Sequence, residues 1–229
     1  MAFAQAPRGE TSRPSTSVFR PVREEPAEGP KTGQAGSWNL GLALSTAIPF
    51  SSPFEISGTA IPTASFRFQL PVTAAIGLLY GWTDRFDVGV ELGLESYGSK
   101  VQISPSTQDL QIVEMTAYPV RALFRYRFGQ SETFVPELEL GAGYATGKAR
   151  ISSTIVGSKS FEENVGYLTG HASGGVAVAW NDETTLHAQA GASYSGLSAK
   201  KYADPATAAT TSQKAILGLF VRAGLSYRF

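Results

Sequence analysis

Tyr118-Pro119-Val120-Arg121-Ala122-Leu123-Phe124-Arg125-Tyr126-Arg127-Phe128 places Tyr118, Val120, Ala122, Phe124, Tyr126 and Phe128 on alternate positions, with Arg121, Arg125 and Arg127 in the gaps. A period of two is the signature of a β-strand with two unlike faces, because successive side chains leave the backbone on opposite sides. Residues 129–133 separate this run from a second one, in which Phe134, Leu138, Leu140 and Tyr144 stand against Glu137, Glu139, Gly141 and Gly143. Two alternating runs joined by a short turn read as a hairpin.

The same period extends in both directions and yields eight strands: 38–44, 66–82, 86–94, 118–128, 134–144, 168–180, 186–194 and 217–229. Their links alternate in length. Residues 83–85, 129–133 and 181–184 are tight turns, whereas 47–64, 96–112, 146–164 and 196–214 read as long loops. This predicts an all-β fold, an eight-stranded antiparallel up-and-down barrel whose first and last strands begin and end at the short-turn side. The 229 residues suffice for one domain with a filled interior. Nineteen basic residues balance nineteen acidic ones, which leaves no electrostatic footprint for nucleic acid. With no cysteine and two histidines, the chain offers no disulfide, no thiol nucleophile and little material for a metal centre; no cofactor is expected. Neither uncharged stretch, 32–54 or 164–181, is apolar enough for a membrane-spanning helix.

Alternation alone does not separate a soluble lipocalin-like barrel, apolar inside, from a membrane barrel, apolar outside. Three features favour the membrane. The polar face is also the small face, with Gly77, Gly81, Gly89, Gly93, Gly141, Gly143, Gly191 and Gly224, and the inside of eight strands is crowded. Aromatic residues gather where the apolar face meets the short turns: Trp38, Tyr80, Trp82, Phe86, Tyr126, Phe128, Phe134, Trp180, Tyr227 and Phe229. A second belt, Phe66, Phe68, Tyr118, Tyr144 and Tyr194, stands toward the long loops, as at the two interfaces of a bilayer. The third feature is the ending Leu225-Ser226-Tyr227-Arg228-Phe229, an alternating strand that closes on a terminal Phe.

That ending, with Trp82-Thr83-Asp84-Arg85-Phe86-Asp87-Val88-Gly89-Val90, resembles the small bacterial outer-membrane barrels of the OmpA/OmpX/OmpW type over 37–229, at the level of pattern. The resemblance implies the bacterial outer membrane, N- and C-termini in the periplasm, and a barrel-assembly machinery that reads Leu225, Tyr227 and Phe229 during biogenesis.

With lipid outside, the lumen receives Arg67, Arg121, Arg125, Arg127, Arg222 and Arg228 together with Asp87, Glu91, Glu95, Glu137 and Glu139. Counting from the turn puts Arg125 close to Glu137 and diagonal to Glu139, and sets Glu91 and Arg222 at comparable heights. Arg121, Arg125, Arg222, Glu91, Glu95, Glu137 and Glu139 are therefore the candidate lumen network. It reads as a charge-paired plug or as a selective polar pore. Near-equal numbers of each sign favour the plug, because an unpaired buried charge is costly.

His171-Ala172-Ser173 resembles the His-x-Ser of PagL-type lipid deacylases, but the nearest later acids, Asp182 and Glu183, fall at the short-turn end, and His171 and Ser173 face the lumen, where a lipid substrate could not enter. No enzyme is expected. His187 reads as a lumen hydrogen-bonding residue. Lys100, Lys148, Arg150, Lys159, Lys200, Lys201 and Lys214 outnumber Asp109, Glu162, Glu163 and Asp204 in the loops, a mild basic bias suited to lipopolysaccharide phosphates.

Residues 5–36 differ from the rest. Pro7, Pro14, Pro21, Pro26 and Pro30 punctuate a polar segment of mixed charge, read as a flexible periplasmic tail. Val18, Phe19 and Val22 form its apolar island and its candidate contact for a periplasmic partner. Ala2-Phe3-Ala4 fits the end of a signal peptide, so 1–4 reads as its remnant. The leading expectation is a structural or interaction role, displaying loops outward and the tail inward. A narrow OmpW-like conduit for small apolar solutes is second, and a lipid-modifying enzyme is third.

Overall fold

The computed structural model describes residues 34–50, 54–57, 64–103, 109–129, 134–153, 159–197, 201–203, 210–213 and 215–229. The strands are β1 (Trp38–Pro49), β2 (Phe54–Ser57), β3 (Ala64–Gly81), β4 (Phe86–Ile103), β5 (Asp109–Arg127), β6 (Phe134–Ser153), β7 (Lys159–Ala179), β8 (Thr184–Leu197), β9 (Lys201–Ala203), β10 (Thr210–Gln213) and β11 (Ile216–Arg228). Eight of them close an antiparallel barrel in the order β1-β11-β8-β7-β6-β5-β4-β3. The eight-stranded up-and-down barrel expected from the period-two pattern is the fold of the chain.

Its polarity is that of a membrane barrel. Leu168 and Trp180 stand 65% and 72% exposed on the outside, whereas Arg127 and Glu139 are 1% and 0% exposed within. From Phe134 to Tyr144 the outward row of β6 is apolar or aromatic over ten residues. At about 3.3 Å per residue and a tilt of about 45°, that row is roughly 25 Å tall, the height of an outer-membrane apolar band.

The strands are longer than the pattern predicts. Residues 96–112 and 146–164, expected as loops, are mostly strand: β4 pairs with β5 through Gln102↔Asp109, β5 with β6 out to Gln111↔Ser153, and β6 with β7 out to Ser153↔Lys159. The physical reason is an inversion of polarity above the Tyr118–Tyr144 belt. There the outward residues are Glu114, Thr116, Thr146, Lys148, Arg150, Glu162 and Asn164, all exposed. The inward ones, Met115, Ala117, Ala145, Ala149, Val165 and Tyr167, pack with Ile216 into a buried apolar cluster. Where water replaces lipid outside, the apolar face turns inward, so a search for one continuous apolar face loses the strand while the backbone ladder runs on.

The other two expected loops, 47–64 and 196–214, hold the short strands. β10 pairs with β2 on one side and β9 on the other, which ties the segment after β1 to the segment before β11. These segments meet because barrel closure makes β1 and β11 neighbours.

Candidate functional site in the barrel lumen

Inward side chains fill the lumen in layers, each set by the register of the ladders. Nearest the short turns, Arg127 donates to both oxygens of Asp87, at 3.0 and 2.5 Å. In the same region His187 lies between Glu137, 3.0 Å from Nδ1, and Ser226 Oγ, 2.8 Å from Nε2, and Gln189 Nε2 donates to Glu137 at 2.7 Å.

One layer higher, Glu139 is the hub. Arg125 donates to its Oε2 from Nε at 3.0 Å and from Nη2 at 2.6 Å, Arg222 Nη1 stands 3.1 Å from Oε1, and His171 Nε2 lies 3.2 Å from the same oxygen. Arg222 also donates to Glu91, so one guanidinium from β11 joins carboxylates of β4 and β6 across the lumen. Arg121 donates to Glu91 at 3.1 Å, to Glu95, and to Thr169 Oγ1 at 3.0 Å. Tyr97 and Tyr167 donate to Glu95 at 3.0 and 3.1 Å and cap the network below the apolar cluster.

All seven candidate lumen residues thus belong to one connected set. One pairing differs from the count made along the sequence. Arg125 lies directly opposite Glu139, and Glu137 is opposite Arg127; the distance from Arg125 Nε to Glu137 is 3.8 Å. Ladder pairing follows the closing register across the turn, which residue counting from the turn misjudged by one inward row. Tyr97, Tyr167, Thr169 and Gln189 also belong to the set but were not singled out, whereas Asp87 and Arg127, placed in the lumen from the sequence but outside the candidate network, form a separate pair beside it. The available signal was parity: each lies an even number of residues from a recognised inward position on its strand.

Small residues make this density possible. A Cβ on Gly143 would lie 1.9 Å from the Val120 carbonyl oxygen, and one on Gly141 would meet the His171 ring at 2.3 Å.

The sequence-level objection to a triad at His171 changes in kind. A carboxylate does stand beside this ring, Glu139, brought by β6 rather than by a residue nearby in sequence. Glu139 is already engaged by two arginines, Ser173 hydrogen-bonds Gln189 at 3.4 Å, and among the described residues no hydroxyl bonds the His171 ring. Among the described residues, no group of three or more His, Asp or Glu is arranged to hold a metal ion.

On the exterior, Trp38 and Tyr80 rings lie 5.0 Å apart, Tyr126 meets Phe128 edge-on at 5.1 Å, and Phe86 stacks with Phe124 at 6.4 Å. Trp82, Phe128, Phe134 and Trp180 are exposed around the short-turn rim. Leu225, Tyr227 and Phe229 face outward on the last strand; Phe229 exchanges backbone hydrogen bonds with Trp38, and Tyr227 donates to Glu183 at 2.8 Å. Val18, Phe19 and Val22 lie outside the described residues, as does the 1–4 segment.

No protein-family model matches the chain, and no curated protein matches its sequence. Solved structures do match its shape. The outer membrane protein OprG from Pseudomonas aeruginosa is similar over 88% of this chain and 98% of its own, with 14% identity and a TM-score of 0.55. Ail of Yersinia pestis matches with 15% identity over 86% of this chain and all of its own, TM-score 0.48. The outer membrane protein W of E. coli matches with 19% identity over 86% and 99%, TM-score 0.40. The fold is that of the small bacterial outer-membrane barrels.

Proposed function

We propose that this outer-membrane barrel has a structural and interaction role, with its termini in the periplasm. The observation that carries this reading is the filled lumen: four carboxylates and three arginines in one hydrogen-bonded set, the Asp87–Arg127 pair beside it and an apolar cluster above. A wall so filled is a rigid mount for what stands at its ends. Outward, β4 to β7 rise past the aromatic belt into the zone of lipopolysaccharide head groups; inward, the tail reaches for a periplasmic partner through Val18, Phe19 and Val22. In planar bilayers the purified protein is expected to give no stable conductance. Uniform single-channel steps would overturn the plugged reading.

Deleting residues 7–33 should leave folding intact and abolish periplasmic cross-links, while shortening the outward loops should leave those cross-links unchanged. The reverse pattern would move the function to the loops. Deleting Phe229 should lower assembly in cells more than stability after refolding, because many other rings share its belt while its terminal position is what the assembly machinery reads. Normal surface levels of the shortened chain would count against that role.

One observation favours the conduit as a second reading. The β1–β3 ladder ends at Thr46↔Val72, although β1 stays paired with β11 to Pro49↔Gly218 and β3 with β4 to Ala64↔Ile103. Phe50 donates to Leu217 of β11, so odd residues of β1 face β3; Gly81 donates to Ser37 on the β1 side, so odd residues of β3 face β1. Pro49 and Pro71 therefore remove donors that would have continued this ladder. A small cavity of about 50 Å³, lined by Ala47, Pro71, Thr73 and Arg222 among others, lies inside this seam. If small apolar solutes cross here, Pro49→Val with Pro71→Val should zip the seam and suppress their uptake. Unchanged uptake would remove this reading.

A further inference from the structure

Above the Tyr118–Tyr144 belt the two neighbours of β7 end at different heights. On one side β6 stays paired with it from Phe134↔Val178 to Ser153↔Lys159, without a register shift. On the other side β8 leaves at Tyr167↔Leu197. The ladder does not resume there, because β9, which follows β8, pairs with β10, and β10 with β2. Residues 159–166 of β7 are thus a strand edge with no paired neighbour on that side among the described residues. Trp180 N–H donates to the Thr184 carbonyl, so even residues of β7 turn their backbone groups toward β8. The N–H and C=O groups of Ser160, Glu162, Asn164 and Gly166 therefore point along the sheet into the space beyond the end of β8.

A matching edge exists on β3, whose ladder with β1 stops at Thr46↔Val72 while that with β4 runs to Ala64↔Ile103. The two edges differ in protection. Pro71 and the register shift between Gln69 and Val72 interrupt the β3 edge, and both are devices that blunt an exposed strand. Residues 159–166 carry neither a proline nor a shift. The outward carboxylate of Glu162 is engaged by Lys148 of β6 at 3.6 Å, away from the open side. On the inward face Val165 and Tyr167 are buried in the apolar cluster with Ile216.

We propose that this edge of β7 is a docking surface for an extended polypeptide segment of another protein, which adds to the sheet as a further strand on the long-loop side. Main-chain hydrogen bonds to residues 160–166 supply affinity, and side-chain alternation supplies selectivity. Alternate residues of the incoming strand face inward beside Val165 and are apolar. The others face outward beside Glu162 and Asn164 and are polar, with a basic one fitting next to Glu162. This rests on the interaction reading and names its outward surface and the chemistry of the partner.

The probe is a fluorescent ten-residue peptide alternating valine with threonine and lysine, titrated onto the full chain in lipid nanodiscs. Saturable binding is expected. N-methylation of one alternate set of peptide amides should weaken it at least about tenfold, and of the other set by less than about twofold, because an added strand turns only half of its donors to β7. Asn164→Pro removes one donor on the open side and leaves the β6 ladder, which uses the odd residues, intact. Folded by unheated gel mobility, this variant should also bind about tenfold more weakly. No saturable binding, equal binding of the three peptides, or unchanged binding by folded Asn164→Pro overturns the proposal. Each of these results leaves the conductance and cross-link outcomes as they stand, so the two readings fail separately.

Discussion

Arg127→Met is expected to destabilise the barrel by about 3–5 kcal/mol, the cost of leaving a buried carboxylate without its counter-charge. Asp87 is 0% exposed, and both hydrogen bonds to its carboxylate come from Arg127. Methionine matches the length of the aliphatic stem but returns nothing to that carboxylate. The contrast is Arg125→Met, expected to cost less, about 1–3 kcal/mol. Its partner Glu139 keeps Arg222 and His171, and Glu137 keeps His187 and Gln189. Denaturant titration in detergent or lipid measures both. Combining Arg127→Met with Asp87→Asn should recover much of the first loss, and Arg125→Met with Glu139→Gln part of the second. A double substitution that merely sums its singles would mean that the two side chains do not interact.

Gly143→Ala should be as damaging through a different cause. The added Cβ would sit 1.9 Å from the Val120 carbonyl oxygen and 2.7 Å from Arg121 Cα, both backbone atoms of β5. A flexible side chain could swing away, but this backbone is held by the β5–β6 ladder, so the strands must part. A loss of at least about 3 kcal/mol is expected, the upper end for overpacking, with reduced recovery of the heat-modifiable folded form. Gly41→Ala is the matched control. Its Cβ would find the Gly77 and Leu225 carbonyl oxygens at 3.8 Å, an ordinary contact, and the change should stay within about 1 kcal/mol. If Gly143→Ala refolds as readily as Gly41→Ala, close strand approach is not what selects glycine at 143.

Inside and outside were readable because lipid imposes one rule over the whole apolar band. Leu40, Leu42 and Leu44 on β1 and Leu138, Leu140 and Tyr144 on β6 alternate with polar or small residues for the same reason. The rule ends where the lipid ends. At Met115, Val165 and Tyr167 the apolar residues take the inward positions, and the strands that carry them look like loops to a reader following the outward face. The leading residues Gln34–Gly36, grouped with a free tail on composition, are likewise bound to the barrel, through contacts with residues 81 and 84 that no local pattern announces.

Strand number, handedness of the two faces and the charged character of the lumen were decided by the sequence alone, because each is a local property of a backbone that repeats every two residues. Which charge meets which was decided only by tertiary structure. Arg222 reaches Glu91 across 131 positions of chain and Arg121 reaches Thr169 across 48, distances set by the stagger with which eight strands close on themselves. The end of the β1–β3 ladder and the turn at Gly36, which ties Ala35 to Asp84 and Gly36 to Gly81, belong to the same class. Period-two alternation is blind to register by any even number of residues, since such a shift keeps every side chain on its face; closure of the barrel removes that freedom and selects one set of partners.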